Sequence, residues 1–263
     1  VPLHIIVGEN DYIDDDKIDL TAMQENLSSY KGKTSTSSPS PHEWENAFGD
    51  ADVVFCITIT SSLSGTYNSA VIAKDIYEHN HTGRKVYVLD SLSTGPEIAL
   101  FIEKIAELIK AGFAPDDIYK TLLEYKDKTH LYFSLASLNN FAKNGRISPV
   151  IAAGIGLLGV RVVGKASDEG TLLPLDKCRG EKRALKKLID HLKECGYTDG
   201  KIIIAHNNNE AGALELKKLI ENTFGIFNGT IQKTRALCSY YAEPGSLLIG
   251  FEASLCNHKP YKD

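Results

Sequence analysis

An α/β fold in two units, the first built on a largely parallel sheet with flanking helices, is predicted by three features of this 263-residue chain. Short apolar, β-branched runs recur at Asp52–Thr60 (DVVFCITIT), Lys85–Asp90 (KVYVLD) and Lys201–His206 (KIIIAH). Each is followed by a helical pattern. Near Ser148-Pro149 the texture changes: a glycine-rich apolar stretch gives way to two strand-like runs around Asp168-Glu169-Gly170. Continuous apolar runs of this length suit strands covered on both faces. Strands alternating with helices argue for parallel pairing, with ligands beyond the carboxyl ends of the strands. With 43% hydrophobic residues the chain can fill one large core or two modest ones. We therefore expect an N-terminal α/β unit at 1–148 and a C-terminal, mixed-sheet α/β unit at 149–263.

Taken in order, Lys33–Trp44 (KTSTSSPSPHEW) packs six hydroxyls and two prolines between two structured segments. It reads either as a solvated loop or as a segment aimed at a ligand. Its end, Ser40-Pro41-His42-Glu43, suits a helix start, with a capping serine and proline at the first helical position. The turn Thr60–Ala70 (TSSLSGTYNSA) joins a strand to the helical run AVIAKDIYEH. After KVYVLD, the stretch STGPEIALFIEKIAELIKAGF predicts a helix entered at Pro96 and left at Gly112. Ile98, Phe101, Ile102, Ile105, Leu108 and Ile109 are expected on its buried face. Ala114–Tyr125 predicts a further helix, and Asp168-Glu169-Gly170 a turn between two strands. Glu181–Cys195 is amphipathic, with Ala184, Leu185, Leu188, Ile189 and Leu192 on one side. His206 closes a strand ahead of Asn207-Asn208-Asn209 and reads as a hydrogen-bonded loop histidine. His258–Asp263 reads as a polar, frayed tail.

Composition excludes several functions. Lys and Arg total 29 against 34 Asp and Glu, with no cationic block of the kind that neutralises phosphates, so nucleic acid is not an expected partner. No run approaches the roughly 18 apolar residues of a membrane span, and the first residues lack a signal-peptide pattern. Five scattered cysteines without a C-x-x-C pair suit free thiols in a reducing cytoplasm, and neither a zinc site nor a disulfide framework is expected. No metalloprotease, P-loop or nucleophile-elbow pattern is present.

Four places carry candidate chemistry. At Thr60–Ala70, hydroxyls and free N–H groups gather at a helix N-terminus, which favours a carboxylate or phosphate; simple capping by Ser62 or Ser64 is the alternative. The hydroxyls of Lys33–Trp44 are the second. Arg146, beside the Asn144-Gly145 turn, is either an anion clamp or a surface cation. Cys178-Arg179-Gly180-Glu181-Lys182-Arg183 is a basic helix start, solvated or docked to a partner.

Thr36-Ser37-Ser38-Pro39-Ser40-Pro41, Ser64-Gly65-Thr66-Tyr67-Asn68-Ser69-Ala70, Asp90-Ser91, Asn144-Gly145-Arg146-Ile147 and Arg179-Gly180 through Ala184 follow one another along nearly the whole chain. In this combination the chain resembles the DegV family of bacterial fatty-acid-binding proteins, whose matching motifs are T-S-Q-P-S-P, S-G-T-Y-x-S-A, D-S, x-G-R-I and R-G-x-x-x-A. The resemblance implies a two-domain fold enclosing one long-chain fatty acid between its domains. Such a protein presents the bound acid to a separate fatty-acid kinase, and is a carrier without catalytic residues, metal or cofactor. The resemblance implies that the hydroxyls of Thr36 and Ser64 and the N–H of Gly65 hold the carboxylate. Ser37, Ser62, Ser91, Arg146 and Tyr241 are further ligand-binding candidates, and Arg179, Lys182 and Arg183 candidates for kinase docking. A cytoplasmic location follows, with transient membrane-surface contact for lipid exchange.

Burying about a dozen methylenes at ~0.8 kcal/mol each gives roughly 10 kcal/mol gross, so affinity is expected from the tail and orientation from the head group. Apolar residues of Ile151–Val163 and Phe133–Leu138 are candidates for the tunnel wall. Two features depart from the family pattern. Members generally begin with a strand and a D-S-T-A-D-L turn, whereas this chain opens at VPLHIIVG, so that first strand is expected to be absent. Where many members carry His in an H-T-G-P-G turn, Tyr241-Ala242-Glu243-Pro244-Gly245 stands here. Tyr241 offers a phenolic hydroxyl, while Glu243 repels an anion unless turned away. Two rival functions are an enzyme acting on a small phosphorylated or carboxylated metabolite at Ser62–Thr66, and an interaction module docking through Arg179–Arg183.

Overall fold

Thr34–Ser37, part of the hydroxyl-rich stretch, is a strand in the computed structural model of the chain, which describes residues 1–148 and 159–253. The expected loop is thus confined to the residues around it. Strand β1 (His4–Val7) lies between β2 (Asn10–Ile13) and β3 (Thr34–Ser37), antiparallel to both, with Ile5 opposite Tyr12 and Thr36. Alternation puts β-branched Thr34 and Thr36 on one face. Helix α1 (Leu20–Ser29) connects β2 to β3, capped by Asp19.

Helix α2 (Pro41–Phe48) starts as predicted: the Ser40 hydroxyl accepts from the Glu43 N–H, Glu43 accepts in return from the Ser40 N–H, and Pro41 opens the first turn. Strands β4 (Val53–Thr58) and β5 (Lys85–Asp90) pair in parallel and are linked by α3 (Thr66–Asn80). Helices α4 (Gly95–Lys110) and α5 (Pro115–Lys126) follow. Gly112 has φ 79°, the left-handed conformation expected just past the end of α4. The buried stripe of α4 differs from the expected one. Pro96, Glu97, Leu100 and Phe101 face inward, whereas Ile102 and Ile109 are 57% and 55% exposed. Apolar spacing marks a face of a helix, but the position of its neighbours decides which part of that face is covered.

Strand β6 (Thr129–Leu135) leads through α6 (Asn139–Lys143) to the hairpin of β7 (Val160–Ala166) and β8 (Leu172–Arg179). Helix α7 (Glu181–Glu194), β9 (Ile202–His206), α8 (Glu210–Phe224), β10 (Gly229–Lys233), α9 (Ala236–Ala242) and β11 (Leu247–Glu252) complete the described chain. These strands form a six-stranded sheet in the order β10-β9-β11-β6-β7-β8. Parallel pairing in it is confined to β9 and β10; β11 runs antiparallel to both β6 and β9. Sheet membership therefore does not follow the expected division after residue 148, because β6 lies before it and supplies a central strand.

One face of the large sheet packs Tyr132, Val163, Ile204, Ile249 and Phe251 against the apolar stripes of α7 and α8. On α7 that stripe consists of the five residues predicted. The opposite face, with Leu131, Phe133, Leu135 and Leu248, looks toward the N-terminal elements. Gly250 allows α4 to sit directly on β11, since a Cβ there would meet the backbone of Pro96 and Glu97. Cys56, Cys178 and Cys238 are free, but Cys195 is disulfide-bonded, against the expectation for all five cysteines. Their separation along the chain carries no information about spatial proximity. The predicted tail and most of Ile151–Val163 lie outside the described residues. Among the described residues no helix is long and apolar enough to cross a membrane.

Among the described residues the fold buries one carboxyl, that of Glu97. Glu97 is 4% exposed and accepts a 2.8 Å hydrogen bond from Thr129 Oγ1; burial pushes its pKa from 4.5 up to about 7. The folded state therefore holds this proton more tightly than the unfolded chain does. Stability is expected to fall as pH rises from 4.5 through 7 and then to level off. Glu97→Gln cannot ionise, so its melting temperature relative to the parent should improve across this interval when both are scanned from pH 4 to pH 9. A difference that does not change with pH would show that Glu97 keeps one protonation state throughout.

Candidate functional site

A cavity of about 280 Å³ lies between the β1–β3 sheet, the loops after β4 and β5, and the inner face of the large sheet with α9. This is near the lower end of the roughly 300–1,000 Å³ typical of small-molecule sites. Leu131, Phe133 and Leu135 of β6, Leu172 of β8, Leu237 of α9 and Leu248 of β11 make its walls apolar. Thr36, Ser37, Ser38, Ser64, Arg146 and Tyr241 bring polar groups to the same cavity.

Strand β3 aims Thr34 and Thr36 at α9, where their hydroxyls share hydrogen bonds of 2.6 Å with Tyr240 and 2.8 Å with Tyr241. Phe141 of α6 lies against the ring of Tyr241, with centroids 4.8 Å apart. Burial raises the Tyr241 pKa, against the opposing effects of the Thr36 hydroxyl and the positive charge of Arg146. Across the cavity, α3 begins at Gly65 without a side-chain cap. Ser64 Oγ instead lies 2.7 Å from Thr66 Oγ1 and accepts from the Thr66 N–H at 3.3 Å. The start of α3 thus keeps donors available for an anion. Arg146 is held in place by two backbone carbonyls, with Nε donating to Leu63 at 3.2 Å and Nη1 to Asn144 at 2.5 Å. No carboxylate among the described residues pairs with it.

The structure brings Thr36, Ser37, Ser64, Gly65, Arg146 and Tyr241 to one cavity and leaves Ser62 and Ser91 off its lining. Ser62 is exposed, and its hydroxyl donates to the Glu169 carbonyl in the β7–β8 turn. Ser91 is buried, its hydroxyl accepting from the Ser93 N–H at 3.1 Å. Both hydroxyls hold loops in position, a use that local sequence does not distinguish from ligand binding. Glu243 is turned away from the cavity. At φ 58° its carboxylate accepts from Ser137 Oγ at 2.8 Å and the Asn140 N–H at 3.2 Å. His206 is buried and accepts from the Asn209 N–H, with a pKa lowered by burial.

Of the expected wall residues, Phe133 and Leu135 line the cavity, while Val162 and Val163 are packed in the core. Phe141, Leu237, Cys238 and Leu248 are lining residues that sequence reasoning does not reach. In ALCSYYA, Ala236, Leu237 and Tyr240 stand three and four residues apart and share the buried face, which is the local signal for α9. Arg179, Lys182 and Arg183 stand exposed at the end of β8 and the start of α7, outside the cavity. Among the described residues no group of His, Cys, Asp and Glu side chains is placed to hold a metal ion.

Comparison with known proteins matches residues 1–254 to the DegV family model, described as "Uncharacterised protein, DegV family". A DegV domain-containing protein of Streptococcus pneumoniae is 41% identical over 252 residues, covering 96% of this chain and 90% of its own. A DegV family protein of Eubacterium eligens, solved loaded with heptadecanoic acid, superposes with a TM-score of 0.94 at 40% identity, over 97% of this chain and 92% of that one. The Streptococcus pneumoniae Fatty Acid Kinase (Fak) B3 protein, loaded with linoleic acid, superposes with a TM-score of 0.95 at 40% identity, over 97% and 90% of the two chains.

Thr36 and Ser64 both contribute hydroxyls at the cavity while neither side chain lies in the core clusters. Thr36→Ala together with Ser64→Ala is expected to lower stability by only about 1–2 kcal/mol in urea unfolding, the cost of the two lost hydroxyl contacts. A loss of cooperative unfolding would show that the cavity mouth is part of the folding core.

Proposed function

The chain belongs to the DegV family, and on that premise we propose that it binds one long-chain fatty acid and presents the carboxylate to a separate fatty-acid kinase. The observation that carries this reading is the cavity itself, with apolar walls supplied by β6, β8, β11 and α9 and hydroxyls and a guanidinium supplied by β3, the β4–α3 turn and the loop after α6. An acyl tail fits the first part, through burial of methylenes. A carboxylate fits the second, because a buried anion is tolerated only where donors converge on it.

Thr36, Ser64, the Gly65 N–H and Tyr241 are the groups we assign to the carboxylate, with Ser37 and Arg146 beside them. The proposed role of Tyr241 replaces a ring nitrogen donor with a phenolic hydroxyl, and Glu243 is already engaged elsewhere. The small-metabolite enzyme draws less support, since Ser62 is tied to Glu169. In this reading the protein is a carrier, the transfer of phosphate belongs to the kinase, and the ligand is its acyl cargo with no further cofactor. Partnership with a kinase supports a cytoplasmic location, with transient contact at a membrane surface to exchange lipid. Arg179, Lys182 and Arg183, projecting from one helix start, form the proposed kinase-docking patch.

Mass spectrometry of the organic extract of purified protein, set against a matched blank, tests the central claim. About one equivalent of long-chain acid per chain is the expected result. A clean extract that stays clean after incubation with mixed fatty acids would overturn it. The Thr36→Ala, Ser64→Ala double variant should bind acid at least about tenfold more weakly, as loss of two hydrogen bonds to a charged group implies. Arg179→Glu with Arg183→Glu should leave acid binding intact while slowing kinase-dependent phosphorylation of the bound acid; equal loss of both would assign that helix start to the fold.

A further inference from the structure

Arg146 is aimed by groups that lie off the cavity wall. Its side chain lines the cavity and is anchored at two points, Nε on the Leu63 carbonyl at 3.2 Å and Nη1 on the Asn144 carbonyl at 2.5 Å. Leu63 immediately precedes Ser64 and Gly65, so the first anchor belongs to the turn that opens α3. Asn144 stands just past the end of α6, ahead of Gly145 at φ 70°, where the helix no longer fixes its carbonyl. Its own side chain supplies the support. Asn144 Nδ2 donates to the Asn140 carbonyl at 2.9 Å and to the Tyr240 hydroxyl at 2.8 Å, which commits both amide hydrogens.

Tyr240 is a firm partner for that amide. Its side chain is fully buried in the cluster of Ile5, Val7, Met23 and Ala236. Its carbonyl accepts from Asn140 Nδ2 at 2.8 Å. With Asn144 donating to the phenol oxygen, the phenol's own hydrogen is left for Thr34 Oγ1, 2.6 Å away. Strand β3, helix α9 and the turn after α6 therefore meet at one hydroxyl. Tyr240 and Asn144 are both off the lining of the cavity, whereas the adjacent Tyr241 is on it.

The charge of Arg146 reaches the head-group site, since it opposes the burial that raises the Tyr241 pKa. A planar guanidinium meets a carboxylate well only from a narrow range of directions, so the placement of its anchors matters as much as its charge. Resting on the fatty-acid reading above, we propose that Tyr240 and Asn144 are positioning residues for the head group. The Tyr240 hydroxyl fixes the Asn144 amide, the Asn144 carbonyl fixes the Arg146 guanidinium, and the guanidinium gives the site its preference for a carboxylate over an uncharged head. Groups linked in this way act as one unit, held from outside the site. The acyl tail is indifferent to it, because its walls come from β6, β8, β11 and Leu237.

The test is competition binding of octadecanoic acid and octadecan-1-ol, equal in tail and different in charge. Both are measured on the delipidated parent, on Tyr240→Phe, Asn144→Ala and Arg146→Gln, and on Tyr240→Phe combined with Arg146→Gln. The parent is expected to prefer the acid. Tyr240→Phe should weaken the acid about tenfold and leave the alcohol within about twofold of the parent, as loss of a hydrogen bond to a charged group implies. Asn144→Ala should do the same; Asn144 is only half-buried, so this variant carries the test if Tyr240→Phe does not fold. Beside Arg146→Gln, Tyr240→Phe should weaken the acid no further, because residues acting through one group are not additive. Equal weakening of acid and alcohol, or a Tyr240→Phe effect that persists in full beside Arg146→Gln, would assign Tyr240 to the fold alone. The inference also fails if the parent binds acid and alcohol alike, or if both single variants keep the parent's affinity for the acid. In each of these cases the carrier reading stands, whereas a parent that binds no acid removes that reading as well.

Discussion

The mouth of the cavity depends on the carboxylate of Asp14, which ties the N-terminal sheet to α9. Its two oxygens accept from the N–H groups of Ala236 and Leu237 at 3.0 and 3.1 Å, and Arg235 lies 3.6 Å from one of them. The first turn of a helix has N–H groups with no partner inside the helix, and a negative charge placed there meets both their hydrogen-bonding need and their dipole. Ile5, Val7 and Met23 then pack against Ala236 and Tyr240, burying all five. With that packing in place, Thr34 and Thr36 meet Tyr240 and Tyr241. Without it, β3 has no reason to face α9 and the cavity loses one wall.

A second seam closes the other side. Thr60 Oγ1 donates to the Gly170 carbonyl at 2.8 Å, and the Ser62 hydroxyl to that of Glu169. Gly170 is required there twice over: its φ is 76°, and a Cβ would run into Thr60. The turn beyond Tyr241 is secured from the large sheet. Arg161 donates to the Gly245 carbonyl at 2.6 Å and pairs with Glu181 at 3.0 Å, while Asn209 bonds both Glu181 and Gly245. The start of α7, which carries the basic patch, therefore shares its supports with the turn next to the cavity mouth.

Polar groups in and around the cavity divide into those that hold loops and those left for something else. Ser62, Ser91 and Thr60 serve the scaffold, and Glu243 caps the beginning of α6. Arg146 gives Nε and Nη1 to the carbonyls of Leu63 and Asn144 and pairs with no carboxylate among the described residues. Residues of one chemical type thus have opposite uses a few positions apart. The reason is geometric: each hydroxyl is committed by the nearest fixed acceptor, and that acceptor usually belongs to a distant segment.

By itself the sequence determined the elements whose cause is local. The apolar runs of β4, β5 and β9, the stripe of α7, the capping box at Ser40 and Glu43, and the glycine beyond α4 all follow from residues within a turn or two of one another. The ordered motifs were likewise enough to single out Thr36, Ser64, Gly65 and Arg146, which the fold brings to one cavity together with Tyr241. Only the tertiary structure decided that Thr34–Ser37 is a strand, that β6 joins the large sheet, and that Ile102 and Ile109 face outward. It alone decided that the Ser62 hydroxyl bonds the β7–β8 turn, that Leu237 and Cys238 reach the cavity, and that Glu243 points away. Each of these outcomes is set by contacts between segments far apart in sequence, such as Thr60 with Gly170 and Thr36 with Tyr241. A strand edge, a cavity wall or a hydroxyl's acceptor exists only once those segments have met.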